Sequence, residues 1–188
     1  VTTAPLVPLA SAAELDRHVR ELGARISADH PAGVTLVGVL KGSVVFLSDL
    51  ARHVTVPTRL ELLAVAPYDG AAGRTRVVKD LDGSVDGEDL VLVSGIVDTG
   101  LTADFLLRHL TAAGPARVRV CALADKRARR ILPIPLDYVA IDAPDGFLLG
   151  YGLDYAGRYR NVPDLWVGDG GALAADPDAY VPALYDAP

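Results

Sequence analysis

The stretch Asp89–Thr102, DLVLVSGIVDTGLT, decides how the chain reads. Asp89–Val93 is apolar and bounded by polar residues, which marks a buried strand. Thr102–Ala113 carries helical spacing and stops at Gly114-Pro115. Between them lies a small turn, Asp98-Thr99-Gly100-Leu101-Thr102. A strand that passes through such a turn into a helix is half of a βαβ unit.

The pattern repeats outward from there. Val34–Leu40, VTLVGVL, reads as a strand, Lys41-Gly42-Ser43 as its turn, and Val44–His53 as the following helix. Before them, Ser11-Ala-Ala-Glu14 is a capping box, and Leu15, Val19, Leu22 and Ile26 share one helical face. RLELLAVA (Arg59–Ala66), Arg76–Lys79, RVRVCALA (Arg117–Ala124) and DYVAID (Asp137–Asp142) supply further strands. Tyr68–Arg74, YDGAAGR, is rich in glycine and expected to be mobile. This alternation predicts an α/β fold with a mainly parallel central sheet flanked by helices. Beyond Gly168 the composition shifts to Gly, Ala, Asp and Pro. The expected organisation is therefore one domain over 1–168 and a loose tail over 169–188.

Composition narrows the function classes. The 188 residues are 51% hydrophobic, enough for a sizeable core, yet no run of about 18 apolar residues would span a membrane. The start, VTTAPLVPLA, lacks a basic segment and is broken by Pro5 and Pro8, so it reads poorly as a signal peptide. Cys121 stands alone, which rules out an internal disulfide and fits a reducing cytoplasm. A formal charge of −6 argues against a general nucleic-acid surface. The basic clusters Lys126–Arg130 and Arg158–Arg160 stay open as local anion contacts. His18, His30, His53 and His109 fall at no metal-ligand spacing.

Ligands of open parallel sheets gather at the carboxyl ends of the strands. Lys41-Gly42-Ser43 and Asp98–Thr102 sit there, each offering free N–H groups at a helix start and hydroxyls that suit a phosphate. The plainer reading of either is an ordinary turn with Ser43 or Thr102 as N-cap. Neither is a P-loop. Asp98 stands at the mouth of its turn, either to accept a proton or hold a cation, or to cap a helix. Lys126 follows a strand and is otherwise a solvated charge. Phe147 has the shape to stack on a ring, or to be a satellite of the core. Asp154 and Arg160 have the charges for a cation and an anion, or for each other.

The order of the pieces VGVLKGS, VKDLDGSVDGEDLVLV, VDTGLT, LADKRARR and APDGFLLGYGLDYAGRYRNVP resembles the hypoxanthine-guanine phosphoribosyltransferases, over roughly Ser11 to Gly168. The resemblance implies a type I phosphoribosyltransferase fold with a small hood and a mobile loop. It implies transfer of 5-phosphoribosyl from phosphoribosyl pyrophosphate to N9 of a purine with Mg²⁺, purine nucleoside monophosphate as product, and a homodimer or homotetramer. Lys41, Gly42, Ser43 and Arg160 would bind pyrophosphate, and Thr99, Gly100, Leu101 and Thr102 the 5′-phosphate. Asp98 would exchange a proton with purine N7. Lys126 would bond the 6-oxo group, and Phe147 with Leu148 would hold the base. Asp154 would hold Mg²⁺, and Tyr68 would ride on the closing loop.

Two departures stand out. The family carries Glu-Asp where this chain has Ser94-Gly95, a pair that grips the ribose hydroxyls. Charge-assisted hydrogen bonds contribute about 1.5–3 kcal/mol each, so losing two costs about two to four powers of ten in donor binding if nothing compensates. Pro67 also precedes Tyr68 where the family has Ser, which removes an N–H from a loop that is a few residues short. The expected activity is therefore a weakened or specialised purine transferase. The alternative is a catalytically silent purine-nucleotide binder, against which the retained Asp98 argues.

Overall fold

In the computed structural model, residues 5–66 and 75–185 are described. The expected lid with Pro67 and Tyr68 lies outside them. A six-stranded sheet forms the centre, in the order β4-β3-β2-β5-β6-β7. Its strands are β2 (Val34–Leu40), β3 (Thr58–Val65), β4 (Val77–Lys79), β5 (Asp89–Val97), β6 (Arg117–Asp125) and β7 (Tyr138–Asp142). All neighbours pair in parallel except β4, which runs antiparallel to β3 at one edge. The central strands are buried on both faces, which is why they read as continuous apolar runs.

Helices cover the two faces. Helix α1 (Ala12–Asp29) starts at the capping box: the Glu14 N–H donates to Ser11 Oγ at 3.3 Å, and the Ser11 N–H to Glu14 Oε2 at 2.9 Å. Its buried face is Leu15, Val19, Leu22 and Ile26, packed in the main core with Phe46, Leu47 and Leu50 of α2 (Val44–His53). Helix α3 (Leu101–Ala112) seals the other side through Leu106 and Leu110, which meet Leu90 and Leu92. A second, antiparallel sheet of β1 (Val7–Ala10), β9 (Leu165–Gly168) and β8 (Phe147–Leu149) forms the hood. No helix among the described residues is long and apolar enough to cross a membrane.

Two expectations change. Strand β5 runs four residues past Val93, so Ser94 and Gly95 lie inside it, Ser94 opposite Ala122 of β6, rather than at its end. A polar residue and a glycine weaken strand propensity, but pairing with β6 at Ser94, Ile96 and Val97 overrides it. Residues 169–185 are not loose either. They form α4 (Gly170–Ala175) and α5 (Val181–Tyr185). Asp169 caps α4 by accepting from the Ala172 N–H at 2.7 Å. Leu173 and Tyr180 are fully buried against Leu149, Tyr159 and Val162, and the Tyr180 hydroxyl accepts from the Asp169 N–H at 2.8 Å. Two anchors in a polar, alanine-rich stretch carry no periodic signal; only the hood supplies their partners.

If these helices stabilise the hood, Leu173→Ala will cost about 2–5 kcal/mol in urea unfolding. A loss under about 0.5 kcal/mol would mean that the segment rests on the fold without supporting it.

Candidate active site

The carboxyl ends of β2, β5 and β6 meet at one edge of the sheet, and three turns converge there. The first is Asp98–Thr102. Its Gly100 precedes α3 with φ of +88°, a left-handed conformation that favours glycine. A Cβ there would lie 2.5 Å from the Leu132 carbonyl oxygen. Of the N–H groups in the first turn of α3, that of Leu101 donates to Thr99 Oγ1 at 3.4 Å, and the next two have no acceptor one turn back, where the helix dipole favours an anion. Thr99, Gly100 and Thr102 line a cavity of about 110 Å³ with Asp98 and Ser94. Leu101 is half exposed and does not line it, so its part in the turn is its backbone. Neither Thr102 nor Asp98 caps the helix by its side chain.

Asp98 also borders a second, open cleft of about 520 Å³, with Lys126, Arg129, Asp145, Gly146 and Phe147 on its walls. Lys126 is almost fully buried, and its ammonium donates to the Gly146 carbonyl. Burial pushes its pKa down, an effect that the nearby Asp98 charge opposes. Phe147 meets Tyr155 edge to face at 5.0 Å between centroids. Leu148, expected beside it, is buried in the main core and lines no part of the cleft, because alternate residues of a strand face opposite ways.

The third turn is Lys41–Ser43. Lys41 is exposed and Gly42 partly buried. Ser43 turns inward: it is fully buried and its hydroxyl donates to the Val39 carbonyl at 2.8 Å. The Ser43 hydroxyl is thus spent on the backbone of its own turn, since a buried hydroxyl takes an acceptor within reach. Against this turn press Gly152 and Leu153. A Cβ on Gly152 would stand 3.2 Å from the Gly42 carbonyl oxygen. Beside them Asp154 and Arg160 hold each other at 2.6 Å, Asp154 Oδ2 accepts from the Gly157 N–H at 2.8 Å, and Arg160 donates to the Gly152 carbonyl at 2.6 Å. Among the described residues no three His, Cys, Asp or Glu side chains gather around a metal position.

The two positions that depart from the family face different neighbours. Ser94 lines the small cavity below the phosphate-type turn, and its hydroxyl donates to the Ile96 carbonyl at 3.0 Å. Gly95 faces the other way. A Cβ at Gly95 would lie 2.7 Å from the Gly42 carbonyl oxygen and 2.9 Å from Leu153 Cδ2.

The basic clusters are not free anion contacts. Arg127 and Arg130 both pair with Asp125, Arg129 with Asp98 and Asp145, and Arg158 with Asp178. The Asp98 carboxylate lies 2.9 Å from Arg129 Nε. His30, read from sequence only as no metal ligand, is buried at the opposite end of the sheet, where its Nδ1 lies 2.9 Å from Asp89. Periodicity carries no signal for these pairings: those of Arg129, Arg158 and His30 join segments distant in sequence, and those of Arg127 and Arg130 with Asp125 form within one local turn.

Comparison with known proteins gives the family. The family model for a phosphoribosyl transferase domain matches residues 11–156. The hypoxanthine-guanine phosphoribosyltransferase of Bacillus subtilis is 36% identical over 163 residues, covering 85% of this chain and 91% of its own. Among solved structures, a hypoxanthine-guanine phosphoribosyltransferase of Bacillus anthracis superposes with a TM-score of 0.82 at 34% identity, covering 85% of this chain and 96% of its own. A hypoxanthine phosphoribosyltransferase of Trypanosoma cruzi in complex with the product IMP gives 0.84 at 32% identity, covering 93% and 95%.

The tight approach at Gly95 has a measurable consequence. Gly95→Ala will lose about 1–3 kcal/mol, because the Gly42 backbone must move. Gly83→Ala, where no atom lies within 4 Å of a new Cβ, will stay within about 0.5 kcal/mol of the parent. Equal melting of the two variants would show that the Gly42 turn yields freely.

Proposed function

Because the chain belongs to the hypoxanthine-guanine phosphoribosyltransferase family, we propose that it transfers 5-phosphoribosyl from phosphoribosyl pyrophosphate to N9 of a 6-oxopurine. The observation that carries this reading is Asp98, which borders both the phosphate-type turn and the cleft that holds Lys126 and Phe147. A nucleotide with its phosphate on one side and its base on the other spans that residue.

In this reading the backbone of Thr99–Thr102 holds the 5′-phosphate at the start of α3. Phe147 stacks on the base. Lys126 spends one donor on Gly146 and keeps two for the 6-oxo oxygen. As N9 bonds to C1 of the sugar, the bond from C1 to pyrophosphate breaks. The base sheds a proton, which Asp98 accepts at N7. Arg160 and the backbone of Lys41-Gly42 donate to the leaving pyrophosphate. The departure is oxocarbenium-like, so excluding water protects it.

The donor set suits one hard divalent cation shared between protein and ligand. Asp154 offers a single carboxylate, and Mg²⁺ commonly binds through one or two carboxylates with phosphate oxygens and water. When bound, it would neutralise charge on pyrophosphate. Ser94 and Gly95 offer no carboxylate toward the sugar, so the ribose grip is weak and the activity is specialised or reduced. We extend the proposal to a homodimer or homotetramer.

Transfer to hypoxanthine and guanine, followed by pyrophosphate release with Mg²⁺, tests the assignment; no turnover with either base, or with xanthine, would refute it. Lys126→Ala will weaken IMP binding by about tenfold or more and AMP binding far less, because only the 6-oxo group accepts from the ammonium. An equal loss for both would remove Lys126 from base recognition.

The missing grip gives a second expectation. Ser94→Glu will raise kcat/KM for the donor, whereas Gly95→Asp will unfold or inactivate the chain, since its Cβ meets the Gly42 backbone. A folded Ser94→Glu variant without gain would place the limitation elsewhere.

A further inference from the structure

The KRARR cluster remains to be explained, since its arginines are bound to carboxylates of the chain itself. Arg130 stands apart from the others. Its side chain is 16% exposed and pairs with Asp125, which is 5% exposed. It also donates from Nε to the Asp98 carbonyl at 2.9 Å and from Nη2 to the Val97 carbonyl at 3.2 Å. The residues that follow continue this contact: the Ile131 and Leu132 N–H groups donate to the Thr99 carbonyl at 2.9 and 3.0 Å. The Lys126 N–H donates to the Val97 carbonyl at 3.0 Å. Residues 125–132 thus hold three successive carbonyls, those of Val97, Asp98 and Thr99, while Leu132 and Arg130 leave Gly100 no room for a side chain.

These carbonyls form the outer edge of the turn whose N–H groups face the cavity. Turning them outward turns the N–H groups inward, because a peptide unit is planar with the two on opposite sides. We propose that Arg130 is a positioning residue: anchored by Asp125, it sets the phosphate-binding conformation of Asp98–Thr102. Because it shares its segment with Lys126, it also ties the base cleft to the phosphate turn. This rests on the functional reading above.

The test compares IMP with inosine by calorimetry on the full chain, because the ratio of their affinities isolates the phosphate. In the parent, IMP binds more tightly. In Arg130→Met that margin falls by about 10- to 100-fold while inosine binding holds, the loss expected for contacts to a charged group. Arg127→Met is the control. It removes the other partner of Asp125, at 2.9 Å, without touching the turn, and keeps the margin. If Arg130→Met does not fold, Arg130→Lys decides: it retains a charge for Asp125 but lacks the planar fork that reaches both carbonyls. A folded Arg130 variant with the full margin overturns the proposal, showing that Arg130 only braces the fold. A parent chain that binds IMP no better than inosine instead removes the phosphate site itself, and the functional reading with it.

Discussion

The Asp125–Arg130 pair is the contact on which the ligand-facing edge depends. It lies between two parallel strands, where Asp125 closes β6 and the carbonyls that Arg130 holds close β5. Such a pair is costly to bury and costlier still to break, because the remaining charge would be left without a partner. Here both charges are satisfied, and the arginine spends its further donors on backbone. The stabilisation is directed at one turn, which suits a site that must receive an anion without rearranging.

In the proposed reading, that turn lets a chain with a formal charge of −6 receive a phosphate. Long-range attraction is unfavourable, and the arginines around the cleft are already paired with carboxylates. The turn itself offers N–H dipoles fixed at a helix start, whose effect is strong only at contact. Arg129 adds a further element. Lying 2.9 Å from the Asp98 carboxylate, it orients that group at the mouth of the cleft.

The sugar side is built differently. Gly95 allows the Gly42 turn and Leu153 to press directly on β5, so space that a side chain would fill is occupied by backbone. Ser94 turns its hydroxyl to its own strand. The wall between phosphate turn and pyrophosphate turn is therefore nearly neutral and tightly packed. In the proposed reading, recognition falls to the two ends of a nucleotide, with little left for its middle.

Much of this was legible in the residues. Apolar runs bounded by turns located β2, α2 and β6 to within a residue or so, and the Ser11–Glu14 box placed the start of α1, because these signals are local. The order of Lys41, Asp98, Lys126, Phe147 and Asp154 along the chain, each next to a strand end or turn, pointed to one site, since a parallel sheet gathers such positions at one edge. What the residues left open was how side chains divide their bonds. Ser43 turned inward, Leu148 entered the core, the basic cluster paired with Asp125, Asp98 and Asp145, and Leu173 and Tyr180 made helices of an expected tail. Ser43, Arg127 and Arg130 took acceptors two to five residues away, whereas Arg129, Leu173 and Tyr180 found partners more than ten residues away, and Leu148 follows which face of its strand meets the core. Distant partners and a strand's inner face exist only once the sheet has formed, so tertiary structure alone decided them.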